Sequence, residues 1–221
     1  MSRVIRNSAA LAVLALLIAW AGAWAAWVPH RSLGLAQNAV DLAEWSTFLP
    51  EVRFGGLRPV PEMLRLAITL ASVALAVAAG ALESRPLRWA LRLAAILPGV
   101  VLLPPYPYML QLWWSESYGL RFIAAAVGLL SPLIGGLTDL LPDRARRALL
   151  IGLCLAALAL GLRAFLVLRG QFAAYYPEPV GVGRGALMFL AGLLAAALLQ
   201  GIAFLPRRQP APDPPPSAAP T

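Results

Sequence analysis

Six apolar segments recur along the chain, and each is long enough to cross a lipid bilayer as a helix. A bilayer core of about 30 Å needs about 20 apolar residues at a rise of 1.5 Å per residue. The segments cover residues 8–27, 61–82, 87–103, 118–137, 148–168 and 182–205. With 60% hydrophobic and 13% charged residues, the composition differs from that of an ordinary soluble domain. The sequence therefore predicts an all-α integral membrane protein, with one polytopic domain over residues 1–205.

The first segment follows Arg3 and Arg6, as the apolar part of a signal peptide would. Its apolar run is longer than a typical signal sequence, so we interpret it as an uncleaved first span. Ala15, Ala19 and Ala23 are spaced one helical turn apart in it. Small residues at that spacing let membrane helices approach closely, which predicts a packing face.

Residues 28–60 form the one long interruption between apolar segments. An apolar stripe recurs there at three- and four-residue spacings: Leu35, Ala39, Leu42, Trp45, Leu49 and Val52. Polar residues avoid the stripe: Gln37, Asn38, Asp41, Glu44 and Glu51. The pattern predicts an amphipathic helix of about 14 residues, too short to span a bilayer. It would lie at the headgroup boundary of the first outer loop or fold over the spans as a lid.

Two predicted spans contain helix-breaking residues. Pro98 lies inside the third span, where it predicts a kink. Ser131 and Pro132, followed by Gly135 and Gly136, interrupt the fourth. Broken helices of this kind line substrate sites in some transporters, and they also arise from packing alone.

The arginines outside the spans are divided unevenly between the two sets of connections. Nine belong to the termini and to the hinges near residues 85 and 145: Arg3, Arg6, Arg85, Arg88, Arg144, Arg146, Arg147, Arg207 and Arg208. Five belong to the opposite connections: Arg31, Arg53, Arg58, Arg169 and Arg184. By the positive-inside rule both termini are expected in the cytoplasm, with the protein in the inner (plasma) membrane. Residues 206–221 are rich in proline and are predicted to form a disordered tail.

The charge and cysteine content exclude several classes of partner and site. All 18 basic residues are arginine, and they are scattered along helix ends without a continuous basic patch, so we expect no nucleic-acid partner. Cys154 is the only cysteine, which rules out an intrachain disulfide or a cysteine metal cluster. His30 is the only histidine. Residues 181–185 (GVGRG) are rich in glycine, but no strand precedes them, as it would in a nucleotide-binding loop. We therefore predict no catalytic residue, cofactor or metal ligand, and favour a non-enzymatic protein.

Three arginines inside the spans mark the candidate ligand site. Arg65, Arg121 and Arg163 lie near the predicted outer ends of their spans, and Glu62 precedes Arg65 by one turn. Charged residues at this depth normally face the bundle or a wet cavity. They would either snorkel and form internal ion pairs, or form a pocket for an anionic headgroup or carboxylate.

The amphipathic helix would cover that site. Asp41 and Glu44 share its polar face, and Trp45 belongs to its apolar stripe. Two carboxylates on one face can hold a cation through water, although such a face is usually only solvated. We include these three residues in the candidate lipid or ligand site.

Two functions are compatible with this sequence. The first is an accessory or structural subunit of a larger membrane assembly, with the bilayer and other membrane subunits as partners. The second is a small solute-binding or transport component that takes an anionic lipid or small solute beneath residues 28–60. In span count and loop position the chain resembles the small substrate-binding subunits of vitamin importers, which agrees with the second function.

Overall fold

The computed structural model describes residues 3–29, 36–111, 118–175, 180–202 and 204. Every regular element in these ranges is a helix, which confirms the all-α fold class; Val28 and Gln37 form an isolated antiparallel bridge. The helices are α1 (Arg3–Trp24), α2 (Ala39–Ser46), α3 (Pro50–Arg53), α4 (Val60–Ala79), α5 (Arg85–Ala94), α6 (Leu97–Leu102), α7 (Tyr108–Gln111), α8 (Gly119–Leu129), α9 (Ser131–Thr138), α10 (Asp143–Tyr175) and α11 (Arg184–Ile202).

Helix α4 is the centre of the bundle. It contacts α1, α2, α5, α6, α8, α9 and α10, and 78% of its apolar window is buried. Helix α10 is peripheral, because it packs mainly on α4 and α11 and only 33% of its apolar window is buried. An apolar helix that is buried by its neighbours forms the core, whereas a peripheral one presents an outer face to lipid or to another protein.

Three helices are long and apolar enough to cross a membrane: α4, α10 and α11. The pair α8 and α9, bent by 54°, makes a fourth if it is one span. The apolar part of α1, Ser8–Trp24, is shorter. These helices support a membrane-embedded protein, and the six-span topology remains a prediction.

The predicted breaks occur where proline interrupts the helical hydrogen bonds. The third predicted span, residues 87–103, consists of two short helices, α5 and α6, which are separated at residues 95 and 96, and Pro98 lies in the first turn of α6. The fourth divides into α8 and α9 at Leu130, with Pro132 in the first turn of α9. Proline lacks an amide hydrogen, so the first turn of a new helix is a position that accepts it.

Several helices begin or end a few residues away from the bounds of the predicted spans. Helix α1 ends at Trp24, before the predicted residue 27, because the next residues bond to other segments. The Gly183 amide donates to the Trp27 carbonyl at 2.7 Å, and Gly185 donates to Ala26 at 2.8 Å. Helix α10 has 33 residues and includes much of the basic hinge that we expected to lie outside the span. The predicted tail 206–221 lies outside the described residues.

The predicted packing face on α1 is confirmed. Ala15, Ala19 and Ala23 are buried, and α1 lies along α11. A Cβ added at Gly192 of α11 would lie 2.5 Å from the Ala15 carbonyl oxygen and 2.8 Å from the Ala19 nitrogen. Small residues on both helices therefore allow their backbones to approach closely.

Residues 36–53 cover one end of α4 with two short helices, α2 and α3, separated by residues 47–49; the predicted single helix of about 14 residues was wrong in this respect. The Asn38 side chain caps α2 by accepting hydrogen bonds from the Val40 and Asp41 amides, which fixes where the helix begins. Leu42, Leu49 and Val52 of the predicted stripe are buried, and α2 packs on α4. Leu35, which we assigned to the apolar stripe, lies outside the described residues. Gln37 was predicted on the exposed polar face and is instead buried, because its backbone pairs with Val28.

Candidate functional site

A buried ionic cluster joins α2, α4 and α8 at the end of the bundle covered by α2. It consists of Glu44 from α2, Glu62 and Arg65 from α4, and Arg121 from α8, and we call it the α2 cluster. The Arg65 guanidinium donates to Oε1 of Glu62 and to Oε1 of Glu44 at 3.2 Å. Arg121 reaches the same carboxylate, with Nη2 at 2.9 Å from Oε1 and Nη1 at 3.0 Å from Oε2. One carboxylate therefore holds two guanidinium groups.

Arg121 also satisfies the backbone at the end of α6. Its Nε donates to the Leu102 carbonyl at 2.9 Å, and its Nη2 to the Leu103 carbonyl at 3.3 Å. The last carbonyls of a helix lack partners within the helix and carry partial negative charge. A guanidinium at this position stabilises the broken third apolar segment as well as the cluster.

The α2 cluster is electrically neutral and mostly buried. The exposed side-chain fraction is 3% for Arg65 and 12% for Arg121, against 15% for Glu62 and 39% for Glu44. Two guanidinium groups and two carboxylates balance, as buried charges must to avoid a large desolvation penalty. Oε2 of Glu62 and Nε of Arg65 are buried and have no hydrogen-bond partner within the described structure.

The structure brings four of the seven candidate site residues together and leaves the other three apart. Arg163 is exposed on α10 and forms no ion pair with any described residue. Asp41 is exposed on α2. The half-buried Trp45 ring packs against Phe172 of α10, with ring centroids 4.9 Å apart, so it joins α2 to α10. Two acidic residues of the predicted outer connections, Glu116 and Glu178, lie outside the described residues.

A second ionic cluster lies farther along α4, and the sequence did not reveal it. Arg92 of α5, only 2% exposed, donates to Asp139 Oδ2 at 2.7 Å and to the carbonyls of Gly135 at 2.7 Å and Ala76 at 3.3 Å. The sequence signal that could have identified the pair is Asp139, the first acidic residue after the broken fourth span.

These groups can bind and position charge. Within the described residues, no group of three or more metal-ligating side chains lies together. Each arginine of the α2 cluster faces a carboxylate, so an anionic ligand would have to displace Glu44 or Glu62. In this conformation the ion pairs of the α2 cluster join α2 to α4 and α8.

Comparison with family models, with curated proteins and with solved structures found no match to this chain.

Proposed function

We propose that this protein is a non-enzymatic accessory subunit of a larger membrane assembly, which it joins through the outer face of α10. The observation that carries the proposal is Arg163. This guanidinium is exposed on the outside of an apolar helix and has no ion-pair partner among the described residues.

The position of Arg163 along α10 favours a partner. The residue lies four positions, or about 6 Å, from the middle of a helix that is longer than the bilayer core. If the core is centred on α10, the guanidinium lies close to the midplane. A charged side chain at the centre of a membrane helix is unfavourable by about 2.5–3.5 kcal/mol on insertion scales. A carboxylate on a neighbouring membrane helix would neutralise it.

The surface around Arg163 suits close helix packing. Gly152, Ala156 and Ala159 are exposed on α10 and, with Arg163, recur at three- and four-residue spacings, so they lie on one face. A Cβ at Gly152 would meet no other atom within 4 Å. Small residues beside a polar one are typical of membrane helix interfaces. The proposed partner is therefore a membrane helix that carries an Asp or Glu.

Site-specific crosslinking in native membranes tests this proposal. A photoreactive residue in place of Ala159 should crosslink to one protein, and the crosslinked peptide should come from an apolar segment containing Asp or Glu. Arg163→Leu should reduce the crosslink at least about tenfold, because the desolvated ion pair is lost. Arg163→Lys is the matched control and should retain it. An equal crosslink in the Leu variant, or adducts with lipid alone, would contradict the proposal.

A second candidate is the binding of a small anionic solute or lipid beneath residues 28–60. The observation that favours it is the convergence of Arg65 and Arg121 under α2. A ligand carboxylate could replace Glu44 if α2 moved away. This function predicts that Glu44→Gln increases the amount of anionic ligand that mass spectrometry finds bound to the purified protein, because a competing carboxylate is removed.

A further inference from the structure

A cavity of about 290 Å³ lies at the end of the bundle opposite the α2 cluster. Its walls come from the beginning of α1, the end of α4, the beginning of α10 and the end of α11, together with Arg88 of α5. Its volume is at the lower limit of the usual range for ligand pockets, about 300–1,000 Å³. It is large enough for a headgroup and too small for a whole lipid.

The inner wall combines apolar residues with one unpaired amide. Val77, Ala78 and Leu150 line it and are buried. Gln200 lines the same wall with 7% of its surface exposed, and within the described residues its amide has no hydrogen-bond partner. The amide atoms stay accessible at the cavity wall, where they can form hydrogen bonds with a hydroxyl or ester oxygen of a ligand.

Besides Arg146, two arginines line the cavity. Arg147 is half-buried and forms no ion pair with the part of the chain that the structure describes. Arg88 donates through Nη2 to the Leu82 carbonyl at 2.7 Å, and its buried Nε has no partner in the described structure. Guanidinium groups bind phosphate oxygens through charge-assisted, often bidentate hydrogen bonds.

The acidic residues of the cavity do not neutralise both arginines. Asp143 accepts from Arg146 at 2.9 Å, so its charge is already matched. Glu83 is exposed and already has an interaction partner of its own, whereas Arg147 forms no ion pair in the described structure. The cavity therefore offers a positive region beside an apolar wall, at an end where four helices terminate.

We propose that this cavity binds the phosphate group of an anionic phospholipid from the adjacent leaflet. Arg147 and Arg88 hold the phosphate, Gln200 bonds to a headgroup or glycerol oxygen, and the apolar wall contacts the beginning of the acyl chains. This site is separate from both the α2 cluster and the outer face of α10.

Native mass spectrometry of the full chain, extracted from nanodiscs with and without phosphatidylglycerol, tests the proposal. The wild type should retain one phosphatidylglycerol in preference to phosphatidylcholine. Arg147→Gln should weaken retention at least about tenfold, as expected for a lost charge-assisted bond. Arg144→Gln removes the same charge from an exposed neighbour that does not line the cavity, and it should retain the lipid.

A second variant keeps the test decisive if Arg147→Gln fails to fold. Gln200→Leu should also lose the lipid several-fold, while the melting temperature measured without lipid stays equal or rises, because leucine suits an apolar wall. Equal losses in the Arg147 and Arg144 variants, or full retention in both cavity variants, would overturn the proposal. Binding of inorganic phosphate that displaces phosphatidylglycerol would also overturn it and assign the cavity to a soluble phosphate compound.

Discussion

At the scale of single residues, Glu44 is the carboxylate of the α2 cluster that pairs with both arginines. Its carboxylate accepts from both Arg65 and Arg121, whereas Glu62 contacts Arg65 alone. Removing one partner from a buried ion pair leaves a charge without compensation, which is more unfavourable than never having the pair. The loss should be smaller for Glu44 than for a fully buried group, because its side chain is 39% exposed.

We expect Glu44→Gln to lower the free energy of unfolding by about 1–3 kcal/mol. Asp41→Asn, on the same helix but without a described contact to the arginines, should change it by less than about 1 kcal/mol. Chemical unfolding in detergent, followed by circular dichroism, measures both. The loss in the double variant Glu44→Gln with Arg121→Gln should be smaller than the sum of the single losses, because the two residues interact. Equal stabilities of the Glu44 and Asp41 variants would show that the α2 cluster does not stabilise the fold.

At the scale of helices, glycine decides which faces can meet. The α1 and α11 backbones approach so closely at Gly192 that a methyl group there would contact Ala15 and Ala19. Gly201, on the same helix, has nothing within 4 Å of the corresponding position. The first glycine is required by packing, and the second is not.

We expect Gly192→Ala to lower the free energy of unfolding by about 1–3 kcal/mol, because backbone atoms cannot move aside as a flexible side chain can. Gly201→Ala is the matched control, and it should be neutral or stabilising by up to about 1 kcal/mol through helix propensity. Thermal unfolding of the purified variants compares them. Equal melting temperatures would show that α1 and α11 are farther apart than described.

At the scale of the whole molecule, the two ends of the bundle have different chemistry. Ser8, Gly80, Asp143 and Gln200 line one cavity, so the beginnings of α1 and α10 lie at the same end as the ends of α4 and α11. The α2 cluster lies at the other end, where Arg121 bonds to the carbonyls of residues 102 and 103. This arrangement agrees with the arginine-rich connections being on one side of the membrane, which the positive-inside rule assigns to the cytoplasm.

Single cysteines test that orientation. In a Cys154→Ala background, Tyr106→Cys should react with a membrane-impermeant maleimide only from outside the cell, and Asp143→Cys only from inside. Both positions suit labelling, because Tyr106 is 75% exposed and the Asp143 side chain is 65% exposed. Labelling of both cysteines from the same side would contradict the predicted topology.

Local patterns in the sequence predicted most of the helical segments and the two breaks at proline. Apolar runs predicted the helical segments, and Pro98 and Pro132 marked the interruptions, because proline affects hydrogen bonds within its own turn. The small residues of α1 predicted a packing face for a similarly local reason. Helix ends were predicted less well, since α1 ends early where its backbone bonds to residues 37 and 183.

Only the tertiary structure decided which charges meet. Spacing along one helix indicates pairs three or four residues apart, such as Glu62 with Arg65. Glu44 and Arg121 are 77 residues apart, and Arg92 and Asp139 are 47 apart. No local pattern links such residues, because their contact depends on how α2, α5, α8 and α9 pack around α4. The same packing left Arg163 on the outer surface and joined four helix ends around one cavity.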